Sequence, residues 1–170
     1  TVITGTLRSA GAPITMSPSS LSVCGEIEAG TGAVTITATT VATTGCAPDA
    51  NPTIDANGAA IGFTGSVDVG PVLESHTGAV TFNGPGAYLR RGGHARHSVW
   101  AAASPGTLSI APQATFEVSD DATVALAVAV PREARLVITG DDDDAARSVV
   151  SAVWIDGGTV EGRPSGSGEL

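Results

Sequence analysis

Alternation is the feature that most restricts this chain. Between residues 33 and 41, Val34, Ile36, Ala38 and Thr40 share one face, while Thr35, Thr37 and Thr39 share the other. That is the period of two expected of a half-buried β-strand with a threonine-lined outer side. Between residues 121 and 131, Val124, Leu126, Val128 and Val130 form one face and Ala125, Ala127 and Ala129 the other. A strand apolar on both sides is expected between two layers or beneath a neighbouring subunit. No long segment repeats its apolar residues at helical spacing. Only 141–151 leaves a choice, between a short helix capped by Asp144 and a strand favoured by Val149 and Val150.

Further strands are expected over 2–8, 21–27, 59–64, 66–69, 79–82, 87–90, 98–102, 107–110, 115–119, 134–139 and 149–155. Turn clusters such as Ala29-Gly30-Thr31-Gly32, Asn83-Gly84-Pro85-Gly86, Arg91-Gly92-Gly93 and Ser104-Pro105-Gly106 separate them. Short strands between Gly/Pro turns predict an all-β antiparallel sandwich or jelly roll. The expected organisation is one domain over 1–162 and a flexible tail over 163–170, which is rich in Gly and Ser. Residues 28–35 and 74–81 echo each other as Glu-x-x-Thr-Gly-Ala-Val-Thr. The echo reads as one hairpin type used twice, over 21–36 and 67–82. Together with Gly106-Thr107-Leu108-Ser109-Ile110-Ala111-Pro112, it keeps a β-solenoid open as the alternative, which would reopen an enzyme reading.

Charge narrows the function. The 170 residues carry 17 acids against 8 bases, all of them arginine, for a net charge of −9. Such a chain is a poor nucleic-acid ligand, and without lysine it cannot form a Walker phosphate loop. No run of 18 apolar residues is present, so no membrane-spanning helix is expected. No basic start leads into an apolar stretch. Thr1 fits either removal of a leader or loss of an initiator Met. The two cysteines, Cys24 and Cys46, would bridge in an oxidising compartment and remain buried thiols in cytosol.

The candidate site residues are polar and clustered. Arg90, Arg91, His94, Arg96 and His97 lie within eight residues, a local reversal of sign on an acidic protein. Arginine grips carboxylates bidentately, so this loop suits an acidic partner such as Asp141, Asp142, Asp143 and Asp144 of an adjacent copy. A bare Asp run splays its side chains and reads as solvated rather than as a calcium loop. His94 and His97, with His76, lack the Glu of a zinc-protease motif, so no metal is expected. No Gly-x-Ser-x-Gly elbow occurs. With aromatics at 4%, a carbohydrate-cleaving cleft is not expected. Trp100 and Trp154 both sit in apolar strand segments and are expected inside.

The opening Val2-Ile3-Thr4-Gly5-Thr6-Leu7, followed by Gly11-Ala12-Pro13-Ile14 and Met16-Ser17-Pro18-Ser19, resembles the first hairpin of immunoglobulin-like modules of bacteriophage tail and other virion proteins. The resemblance covers about twenty residues and implies a structural role with no catalytic residues. The combined expectation is a non-enzymatic structural protein, without cofactor, that self-assembles or docks on a larger particle. Its partners would be other copies or other structural proteins, not nucleic acid or membrane, and its place a virion tail, fibre or capsid decoration. The alternative is a secreted or cell-surface binding or adhesion module with a Cys24–Cys46 bridge.

Overall fold

The computed structural model describes residues 1–38, 40–43, 46–47, 52–55, 59–64, 67–76, 78–83, 86–102, 106–139 and 148–163. Every strand found there pairs in parallel with the strand one turn earlier or later. The chain winds as a β-solenoid with three faces. The turns run β1 (Val2–Ile3), β2 (Thr6–Ser9), β3 (Ile14–Met16); β4 (Ser20–Val23), β5 (Glu26–Ala29), β6 (Val34–Ile36); and β7 (Thr40–Ala42), β8 (Thr53–Asp55), β9 (Ile61–Thr64). Next come β10 (Val67–Val69), β11 (Val72–His76), β12 (Val80–Asn83), then β13 (Gly86–Leu89), β14 (Gly92–Arg96), β15 (Val99–Ala102). β16 (Thr107–Ile110), β17 (Thr115–Ser119), β18 (Thr123–Pro131), β19 (Arg135–Thr139), β20 (Val149–Asp156) and β21 (Thr159–Arg163) complete the winding.

The second strand of each turn builds an eight-stranded sheet, from β2 to β21. The first and third strands build the other two faces. The long β18 rounds the corner between them: its start pairs with β15 and its later residues pair with β16. That link joins both faces into one 13-stranded ladder.

This overturns the antiparallel sandwich and jelly roll. Alternation has the same period in a hairpin and in a solenoid turn, so it cannot separate them. The corners do. At several corners one residue with positive φ breaks the extended chain and lets it continue in the same winding sense: Gly92 (87°), His97 (46°), Gln113 (67°) and Glu133 (68°). Corners also stack by backbone hydrogen bonds, as from Gln113 N–H to the Glu133 carbonyl at 3.0 Å. The echoed segments are likewise not hairpins. Glu28 pairs with Asp55 and Asp55 with Glu74, while Val34 pairs with Ile61 and Ile61 with Val80. The echo therefore marks one corner seen two turns apart. Residues 1–16, expected as an opening hairpin, form a solenoid turn.

The interior is built from ladders of identical position. Leu7, Ile27, Ile54, Leu73, Gly93, Phe116, Leu136 and Val160 occupy one such column. The gap at Gly93 is filled from another face, since a Cβ there would stand 3.4 Å from the Trp100 ring. Trp100 joins an aromatic stack with Phe63, Phe82 and Phe116, whose successive centroids are 5.4, 6.2 and 4.8 Å apart. All four are buried, which accounts for every Phe and one of the two Trp residues. The two-sided β18 is explained without a covering layer. Its Val124, Leu126, Val128 and Val130 point inward, and its alanines lie on the outer side.

Candidate functional site

A buried solenoid core leaves function to the outward columns and the corners. On the face carrying β13, β16, the later part of β18 and the later part of β20, register aligns Tyr88 with Ser109, Ser109 with Ala129 and Ala129 with Trp154. Three steps at the usual strand spacing put the two aromatic positions about 14 Å apart. The intervening outward positions hold only small side chains. An open trough of about 450 Å³ results, with Tyr88 and Trp154 at its ends and Ser109 and Ala129 on its floor. Pro112 and Pro131 line it on the corner side, and Asp156 stands at its rim. Trp154 is 70% exposed, contrary to the expectation of burial. Strand parity sets its side, since its neighbours Val153 and Ile155 pair with the inward-facing Val128 and Val130, and β20 is the last strand of its ladder among the described residues, which leaves it uncovered. The Arg90 guanidinium lies 5.3 Å from the Tyr88 ring centroid, a cation–π contact that steadies the ring.

The Arg/His segment divides among different surfaces. Arg90 lies against the Tyr88 ring, and Arg91 is exposed at the following corner. His94 projects from β14 and Arg96 ends that strand, while His97 is exposed at the corner. Arg96 is already held within the chain by Asp120, with Nε to Oδ2 at 2.6 Å. His94 Nε2 lies 2.8 Å from Ser119 Oγ, which in turn lies 3.2 Å from Asp120 Oδ2. The hydroxyl can donate to either Asp120 or the imidazole, so the direction of the His94–Ser119 bond follows the His94 tautomer. Asp141, Asp142, Asp143 and Asp144 lie outside the described residues. Among the described residues no group of three or more His, Cys, Asp or Glu has the arrangement of a metal site, and no helix is long and apolar enough to cross a membrane.

A second charged group lies at the other end of the molecule. Arg8 and Glu28 are directly opposed on β2 and β5, and they pair bidentately, Nε donating to Oε2 and Nη2 to Oε1, the latter at 2.7 Å. The hydrogen bond and charge of Arg8 hold the Glu28 carboxyl below its ordinary range. Partial desolvation and then the charge of Glu28 push Glu26 the other way, with Asp55 adding to it. On its own this is a surface electrostatic ladder.

Cys24 and Cys46 form a disulfide, with Cα atoms 5.0 Å apart. It ties the corner after β4 to the corresponding corner one turn later, after β7. Sequence reasoning missed the trough because its two rings are 66 residues apart and meet only through register. Comparison with protein-family models, with curated proteins and with solved structures finds no match to this chain.

Proposed function

We propose that this protein is a non-enzymatic binding scaffold that works outside the cytosol, a secreted or cell-surface β-solenoid that presents ligand sites on a rigid outer face. The observation that carries the reading is the trough between Tyr88 and Trp154, an exposed Trp held at a fixed distance from a second ring by strand register. Globular surfaces rarely leave a Trp this open unless it contacts something. The Cys24–Cys46 bridge supports the compartment, because such bonds persist where the medium is oxidising. The virion terms gain no support from fold or comparison.

The test has two parts. Protein isolated without reductant and then denatured should show no titratable thiol, and two after reduction. The variant Tyr88→Ala with Trp154→Ala should keep the circular dichroism and melting temperature of the parent. It should also lose retention on immobilised extracellular polymers, both polysaccharide and protein, that hold the parent. Retention equal to the parent on every support would refute the trough as the binding surface.

A second reading is edge assembly, in which further β layers stack on β20 and β21. Val153, Ile155 and Val160 continue interior columns there yet remain open, Ile155 at 60% exposure. Uncovered strand edges template such pairing. Light scattering distinguishes it: Val153→Lys with Ile155→Lys should reduce any oligomer to the monomer mass, and an unchanged mass distribution would remove this reading.

A further inference from the structure

Resting on the binding reading above, we propose that the trough takes a neutral linear glycan, laid along the solenoid axis with sugar rings on Trp154 and Tyr88. Four features of the site point to this class. First, the aromatic ends are separated by three turns, and the rise of an extended pyranose chain per residue is close to one strand spacing, so consecutive sugars fall in step with the turns. Second, the floor between the rings is Ser109 and Ala129, low enough for a flat ring to lie above it without displacing a side chain. Third, the polar partners suit hydroxyls. Asp156 offers acceptors, and Ser109 a hydroxyl that both donates and accepts. A pyranose presents apolar C–H faces to the indole and phenol rings and hydroxyls around its edge, which matches rings at the ends and polar atoms at the rim. Fourth, charge selects within the class. One carboxylate, Asp156, and one guanidinium, Arg90 against the Tyr88 ring, balance each other at the site, and the net charge of −9 disfavours the approach of uronate or sulfated chains.

A protein partner fits less well. Protein interfaces bury roughly 800 Å² per side around a packed apolar centre, whereas this trough is short and floored by one methyl and one hydroxyl. Trp154 stands free of the interior aromatic stack that contains Trp100, so the two indoles report on different things.

The experiment follows Trp154 emission in the full chain carrying Trp100→Phe, so that the exposed indole supplies the only Trp signal. Cello-, manno- and chito-hexaoses and the corresponding monosaccharides are titrated to millimolar concentration, with a polygalacturonate oligomer as the charged control. At least one neutral hexaose should shift the emission to the blue, saturably and more tightly than its monosaccharide. Tyr88→Ala should weaken that hexaose roughly tenfold, the loss of one stacking platform. If Trp100→Phe fails to fold, the parent chain with iodide quenching of the exposed indole gives the same readout. No shift with any neutral hexaose, a shift unaffected by Tyr88→Ala, or preference for the polygalacturonate would each overturn the proposal. Trp154-dependent retention on a protein support with no glycan response would overturn the glycan while leaving the binding scaffold standing. A parent chain retained on no support, with no glycan response, would remove both.

Discussion

Reducing or deleting the Cys24–Cys46 bridge perturbs one defined place in the winding, and the structure fixes the size of the effect. The bond closes a segment with a sequence separation of 22. In the chain-entropy description, a loop of this length restricts the unfolded chain by about 3 kcal/mol at room temperature. For a chain of 170 residues, 1 kcal/mol moves the melting temperature by about 2–4 °C, so Cys24→Ser with Cys46→Ser should melt roughly 10 °C lower. The loss should also be local. Turns of a solenoid contact mainly their neighbours, so a cross-link between two turns steadies those turns first. Amide exchange should quicken in β4, β5, β7 and β8, while β16, β17 and β19 keep their protection. Circular dichroism melts of the oxidised parent, the reduced parent and the double variant give the first quantity, and exchange mass spectrometry the second. A shift below about 2 °C, worth less than about 1 kcal/mol, would refute the reasoning. So would uniform loss of protection along the whole chain.

Four further outcomes follow from the core, the corners and the charged face. Phe82→Ala removes the ring between Phe63 and Trp100 in the interior stack and should cost about 3–5 kcal/mol in urea unfolding; a cost under about 1 kcal/mol would mean the stack is not packed as described. Gly92 and Gly157 both have positive φ, 87° and 75°, but only at Gly92 would a new Cβ collide with a backbone carbonyl, that of Thr115. Gly157→Ala should therefore cost about 1–2 kcal/mol and Gly92→Ala clearly more, and equal midpoints would contradict the corner geometry. For the charged face the sign is definite: a carboxyl raised in the folded state, as Glu26 is, lends stability at low pH that is lost as pH rises through its folded pKa. Glu26→Gln should thus raise the melting temperature at pH 7 relative to the parent and lose that advantage below the carboxylate range. Glu28, lowered by Arg8, has the opposite dependence, and Arg8→Met should destabilise at pH 7 but not in acid.

Much of the local structure was legible. The alternation at Val34 and Ile36 gave a strand with the correct inward face, and that at Val124, Val128 and Val130 gave a strand but not the single face it buries. The winding was not, because a turn repeat is visible only when its length is constant. Along the column from Leu7 to Val160, the steps are 20, 27, 19, 20, 23, 20 and 24 residues. Insertions at corners slide the register out of any fixed period while leaving each face intact. The echo at offset 46 survived because a long and a short step happened to add to it. Trp154 was misplaced for the same reason: without the register of β20 against β18, nothing in Val153-Trp154-Ile155 says which parity faces the core.

The same variability explains where function is expected to reside. In this architecture a face cannot accept an extra residue without flipping every side chain beyond it, whereas a corner can lengthen freely. Outward columns therefore hold side chains at strand spacing whatever the corner lengths, and a ligand with a matching repeat can read them. Tyr88 and Trp154 keep that regularity across steps of 21, 20 and 25 residues. Corners instead carry the cost of irregularity as loop entropy. The longest step in the Leu7 column, from Ile27 to Ile54, contains Cys46. Its partner Cys24 lies at the same corner of the preceding turn, so the disulfide closes the one turn whose extra length most loosens the winding, and leaves the Tyr88–Trp154 face on β13 to β20 free of it.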